Sequence, residues 1–250
     1  MAERYESIED AKRRRSDQAI FVVVKVGARK HMEELADGHL RFRRLSFYRA
    51  AENEGQPFYD KNEGLAGVYQ PSAIRMTLRV DGEDHEVEGL VDQVLFHRCL
   101  DVPIMCLYAL ECGEWEDRGM DEEDFPKILD SMMVPPAMEK IGDTVWAILN
   151  GTAFKERLAA AARTQGLAGR GARVTYVDFS RTHGAVKAED HGFVKDARFQ
   201  HEHEYRIAIY AQQQLPDPFI LDLGSLRDIS MIMPLSELRN SLSMRRRLDP

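Results

Sequence analysis

The chain has 250 residues and a formal net charge of −8, long enough to bury a core and of the wrong sign for wrapping nucleic acid with its whole surface. With 44% hydrophobic and 30% charged residues, it falls outside the disordered and fibrous classes. The first residues are charged, no run reaches transmembrane length, and Cys99, Cys106 and Cys112 have no CxxC spacing. Those features predict a reduced, cytoplasmic compartment, no membrane partner and no structural zinc.

Residues 1–18 are polar around Lys12-Arg13-Arg14-Arg15 and read as a solvated arm or a short exposed helix, with an acidic partner as the alternative. Ile20–Val26 is an apolar, β-branched run, a buried strand that Gly27 ends. Residues 28–37 are expected to be helical with Met32, Leu35 and Ala36 inward, stopped by Gly38. A second strand is expected near Leu40–Phe47. Ala51–Gly64 lacks periodicity and is rich in turn formers, so a long surface loop is expected there.

Ile74–Val80 alternates, Asp81-Gly82 is a hairpin signal, and His85–Leu90 returns. Val94–Cys99 and Ile104–Leu110 add strands, the second apolar enough to be central. Residues 121–133 read as a helix with an acidic first turn, stopped by Pro135-Pro136. Thr144–Leu149 is a strand and Thr152–Arg163 an amphipathic helix with Phe154, Leu158 and Ala161 inward. The glycine-rich Gly166–Gly171 opens a strand rather than a helix, so it does not fit a phosphate-loop fingerprint and reads as a flexible connector. Arg173–Phe179, Glu204–Ala211 and Phe219–Asp222 are further strands, Leu235–Leu242 a short helix, and residues 244–250 a basic tail. Irregular alternation with frequent hairpin signals predicts a single α+β domain over residues 19–243. Its sheet is expected to be mixed and mostly antiparallel, in one piece or split, with flanking helices.

The polar residues gather in three stretches: Lys25, Arg41–Glu63 and Lys195–Arg206. No nucleophile elbow, Walker loop, HExxH or kinase signature is present. If His201-x-His203 lies on a strand, the two histidines share one face and Glu202 and Glu204 the other. A metal needs a third ligand, and nothing in the sequence brings His85, His97, His183 or His191 to the pair, so no metal is expected. Glu204 either enters a semi-enclosed cavity or forms a structural pair with Arg206, which points to the same side. Tyr48 and Arg49, with Glu52, Asp60 and Glu63, make an aromatic-plus-charge segment that stacks a planar ring and grips a phosphate, or else closes on the core.

Phe21-Val22-Val23-Val24-Lys25-Val26-Gly27 with His31-Met32, Gly38-x-Leu40-x-Phe42, Tyr48-Arg49-x-x-Glu52 and Asp60-x-x-Glu63-Gly64 resembles an uncharacterised family of bacterial and phage proteins. Phe193-Val194-Lys195 and Glu202-x-Glu204-Tyr205-Arg206-Ile207 resemble that family's C-terminal signature. More distantly, the layout is similar to the ADP-ribosyltransferase superfamily. The resemblance implies transfer of ADP-ribose from NAD to a nucleic acid or protein acceptor, in phage–bacterium conflict. It implies Glu204 as the catalytic carboxylate and Tyr48 as the nicotinamide stack. Arg49 or an arginine among Arg41–Arg44 would hold the pyrophosphate. Lys25 stands where the superfamily carries Arg, His or Tyr. Lys195 and Arg206 complete the NAD-facing set, with Asp60, Glu63 and Glu202 toward substrate. Two other functions fit the same residues: a non-catalytic nucleotide- or partner-binding protein that counters defence, and a nuclease using His201, His203 and Glu204.

Overall fold

The computed structural model describes residues 5–16, 20–50, 60–87, 92–97, 101–111, 121–132 and 134–244. Its helices are α1 (Ile8–Ser16), α2 (Arg29–Ala36), α3 (Leu45–Ala50), α4 (Phe125–Ser131), α5 (Gly151–Thr164) and α6 (Leu235–Ser241). The first strands are β1 (Ile20–Gly27), β2 (His39–Arg44), β3 (Leu65–Tyr69), β4 (Thr77–Val80), β5 (Glu83–Glu86), β6 (Val94–His97) and β7 (Pro103–Glu111). Then come β8 (Thr144–Ile148), β9 (Ala168–Arg173), β10 (Thr175–Val177), β11 (Gly184–Ala185) and β12 (Val194–Asp196). The last are β13 (Glu204–Tyr210), β14 (Phe219–Asp222) and β15 (Ser230–Pro234). The architecture is α+β with mostly antiparallel pairing, as the irregular alternation predicts. No helix among the described residues is long and apolar enough to cross a membrane.

Two compact units are each assembled from three separated stretches of chain. The first takes residues up to Ser16, Leu45–Asp101 and Val174–Gln200. Its core joins Ile8 and Ala11 of α1 to Leu65, Val68, Val177, Phe179, Val186 and Val194. The N-terminal segment is therefore a helix with one buried edge, tied down where Lys12 Nζ meets Asp190 Oδ2 at 2.8 Å. The Asp81-Gly82 turn has positive φ at both residues, as a two-residue hairpin requires.

The second unit holds the eight-stranded sheet, with β14-β2-β7-β1-β8-β15 in order and β13 and β9 joined through β7. Tyr108 of β7 is paired on one side by Val24 and on the other by Glu204. Because residues opposite one another in a ladder share a face, the register sorts the sheet into two sides. Val24, Val26, Tyr108, Leu110, Val145 and Ala147 pack toward Ile128 of α4, Met132 just past its end and Leu238 of α6. Met105, Leu107, Trp146, Ile148, Ile207 and Ile209 pack toward Met32 and Leu35 of α2 and Phe154 of α5.

Several expectations need correction. Tyr48 and Arg49 sit on α3 and not on a strand or loop. Asp101, far along the chain, accepts the Ser46 N–H at 2.7 Å and its hydroxyl at 2.6 Å, capping a helix start that local sequence does not mark. Of the expected surface loop, residues 51–59 lie outside the described residues, and Asp60, Asn62, Glu63 and Gly64 are buried. Gly166–Gly171 is no free connector, since Ala168–Arg173 is a strand paired with β13 through six residue pairs. Its backbone ladder overrides the low strand preference of glycine. His201 belongs to a 3-10 turn, Ala197–Glu202, so it and His203 do not share a strand face. The basic tail from residue 245, and the charge of Glu52, lie outside the described residues.

Candidate functional site

Five of the predicted site residues, Tyr48, Arg49, Asp60, Glu63 and Lys195, belong to the first unit. The other five, Lys25, Arg41, Glu202, Glu204 and Arg206, belong to the second.

In the first unit, Asp60, Glu63 and Lys195 do come together. The turn before β3 folds on itself, with Asp60 Oδ1 accepting the Asn62 N–H at 2.9 Å. Gly64 adopts φ +77° and its carbonyl oxygen meets His191 Nε2 at 2.8 Å. Asp60 is fully buried, lies 3.4 Å from Arg198 Nη2, and its Oδ2 has no hydrogen-bond partner among the described residues. Burial raises the Asp60 carboxyl above its ordinary value and Glu63 adds to the rise, against the Asn62 amide, Lys195 and Arg198. Lys195, 1% exposed, stands 3.9 Å from Glu63 and 4.3 Å from the centre of the Phe199 ring. Arg198 opens half to solvent beside the same ring. Arg49 lies near Gly64, and burial, followed by the Arg49 charge, lowers His97. Tyr48 meets Phe47 edge-on at 5.5 Å. Asp60, Glu63 and Lys195 therefore form an enclosed acid–base cluster, with Arg198 its half-exposed member.

In the second unit, the predicted residues are dispersed. Lys25 shares the face of Val23 and Trp146, whereas Glu204 shares the face of Val24 and Tyr108. Lys25 Nζ donates to the Cys106 carbonyl oxygen at 2.6 Å. Arg41 is exposed on β2, opposite Ile220. Glu202 is buried at the end of the 3-10 turn. Glu204 is 8% exposed, and Arg206 beside it grips both carboxylate oxygens, Nε at 2.6 Å and Nη2 at 3.2 Å. Of the two readings that the sequence left open for Glu204, the pair with Arg206 is present.

The strongest constellation in this unit is built on His203, which the sequence named only together with His201 and Glu204. His203 precedes β13 with φ +40°, a strained conformation for a residue with a side chain. Its carbonyl oxygen accepts the Ala109 N–H at 2.9 Å, which anchors that backbone to β7. Its Nδ1 lies 2.9 Å from Oε1 of Glu111, a buried carboxylate whose Oε2 is 3.4 Å from Arg173 Nη1. The imidazole is 31% exposed, rests 5.6 Å from the Tyr108 ring, and among the described residues has no hydrogen-bond partner at Nε2. Burial, with Glu111 nearby, pushes the Tyr108 phenol up. The convergence comes from the sheet: β7 and β9 flank β13, so Glu111 and Arg173, the last residues of their strands, arrive beside its first residues. Nothing local in the sequence ties His203 to a carboxylate 92 residues away.

Among the described residues, no three His, Cys, Asp or Glu side chains are grouped to hold a metal ion. Comparison with protein-family models, with curated proteins and with solved structures gives no match to this chain.

Proposed function

We propose that the chain cleaves RNA by general acid–base catalysis at His203, with Glu111 as the carboxylate that positions it. The observation supporting this reading is the 2.9 Å contact between His203 Nδ1 and Glu111 Oε1. When the imidazole is neutral and Glu111 is ionised, the carboxylate only accepts, so Nδ1 donates to it and Nε2 keeps the lone pair. Nε2 takes the proton of a ribose 2′-hydroxyl and the freed oxygen attacks the adjacent phosphorus. The bond from phosphorus to the 5′ oxygen breaks, and that oxygen takes a proton from water. RNA carries its own nucleophile, so a single oriented base is sufficient to start the reaction. A base of this kind contributes about 10²- to 10⁴-fold. His203→Ala should lose that factor on an RNA oligonucleotide while melting as a folded protein, and the DNA of the same sequence, lacking the 2′-hydroxyl, should stay intact. Cleavage by His203→Ala at the wild-type rate sinks the proposal.

A second reading, transfer of ADP-ribose from NAD to a nucleic acid or protein, is favoured by Glu204, a buried carboxylate at the head of β13. Its charge would stabilise an oxocarbenium-like ribose. This reading predicts NAD turnover that stops on Glu204→Gln and continues on His203→Ala. A protein that turns over neither RNA nor NAD, yet melts higher with nucleotides, is the non-catalytic binder.

A further inference from the structure

Beside this constellation, on the α5 face of the sheet, lies a cavity of about 680 Å³. That is within the range of clefts that hold a small ligand, roughly 300–1,000 Å³. Val23, Leu107, Phe154, Leu158, Tyr205 and Ile207 are among the residues of its wall. The space exists because of β9. Gly169, opposite Ile209, turns toward α5 with no side chain and with only ordinary contact where a Cβ would stand, whereas the Tyr205 ring covers Gly171. Glycine weakens a strand interior, and its presence there marks a place where a ligand or another backbone comes close.

Two cations interrupt the apolar wall. Lys155 and Arg163 of α5 both line the cavity, both are exposed, and among the described residues neither makes an ion pair. Eight residues of helix place them about 12 Å apart. In a chain of net charge −8, two uncompensated cations on one apolar cavity favour an anion with an apolar body. The cavity also adjoins the His203 constellation. Ile20, which lines it, pairs with Glu111, and Tyr205, which lines it, pairs with Arg173.

We infer that this cavity binds a nucleotide, with the base among Phe154, Tyr205 and the bare backbone of Gly169, and the phosphate on Lys155 and Arg163. The inference rests on the RNA-cleaving reading for its substrate class and makes the cavity the place where one nucleotide of the strand is seated.

Isothermal titration of the full chain with adenosine 5′-monophosphate and cytidine 5′-monophosphate tests it. One mononucleotide should bind per chain, and the phosphate-free nucleoside at least about tenfold more weakly. The Lys155→Glu, Arg163→Glu double variant should weaken binding by about tenfold or more, because both cations of the wall are reversed. Gly169→Leu fills the space; a Cβ at Gly169 meets only ordinary contact, 3.5 Å from Ile209 Cδ1, so the variant should fold and should not bind. Absence of mononucleotide binding, affinity unchanged in both cavity variants, or tighter binding of dodecanoate than of either mononucleotide overturns the inference. A protein that cleaves RNA but binds no mononucleotide overturns the cavity assignment alone, and one that binds but does not cleave overturns the His203 reading alone.

Discussion

Glu204→Gln separates a structural carboxylate from a catalytic one. Arg206 is 1% exposed and grips Glu204 at 2.6 and 3.2 Å. At an effective dielectric of about 20, unit charges at that shorter separation attract by on the order of 6 kcal/mol. Removing two ions from water offsets most of the attraction, so an intact pair adds little beyond what an apolar pair of the same size would. Losing one partner is different, because the guanidinium stays buried. The typical cost is about 3–5 kcal/mol, and glutamine, which keeps one acceptor oxygen, should fall near the lower end. For a chain of this length, each kcal/mol lowers the melting temperature by about 2–4 °C, so Glu204→Gln should melt roughly 6–12 °C below wild type. Combining Glu204→Leu with Arg206→Met should recover most of that loss. Thermal melts followed by circular dichroism read both variants. A Glu204→Gln protein that melts at the wild-type temperature while losing turnover refutes the structural assignment and returns the carboxylate to catalysis.

The Asp60 carboxyl is raised above 3.8 in the folded state by burial first. The fold therefore holds a proton that the unfolded chain releases, and the stability this contributes is present below 3.8 and lost as pH rises through the folded value. Asp60→Asn should remove that loss, gaining on wild type in urea midpoints as pH rises above 3.8; parallel pH profiles would refute it. Gly38 has φ +98°, and a methyl there would overlap the Gly224 carbonyl oxygen, so Gly38→Ala should cost more than the roughly 1–3 kcal/mol of backbone strain alone. An unchanged melting temperature would contradict the overlap. Asn150 Oδ1 accepts the Ala153 N–H at 3.0 Å at the start of α5. Asn150→Ala should cost about 1 kcal/mol in urea unfolding and Asn150→Asp should not, whereas equal losses would mean that the cap is not the cause.

What could be read from the sequence was what periodicity and turn chemistry encode. The β-branched run of β1, the inward Met32, Leu35 and Ala36 of α2, the Asp81-Gly82 turn and the central β7 lie where their patterns place them. The two-residue offset of Glu204 and Arg206 left their pairing as one of two readings, and the pair is present. Less accessible was anything set by distant partners. The start of α3 depends on Asp101, the order of β9 on a ladder with β13, and the burial of Asp60 and Glu63 on Lys195 and His191, more than a hundred residues on. The site shows the same division. Asp60, Glu63 and Lys195 were picked singly and do meet, but His203 gains its meaning from Glu111, which no spacing rule connects to it. The resemblance groups Lys25 with Glu204, yet the register of β1, β7 and β13 sends them to opposite faces.

The interleaving of the two units has a consequence for the nascent chain. Unit one is not complete until Gln200 has been made, and unit two still lacks β13, β14 and β15 at that point. The central strand β7 therefore emerges with one edge open until its partner Glu204–Tyr210 is synthesised, and β8 waits similarly for Ser230–Pro234. An open edge on an apolar strand is an invitation to pair with the wrong chain. Premature stops anywhere before β15 should yield aggregates rather than a soluble half, and neither unit can be excised as one contiguous fragment.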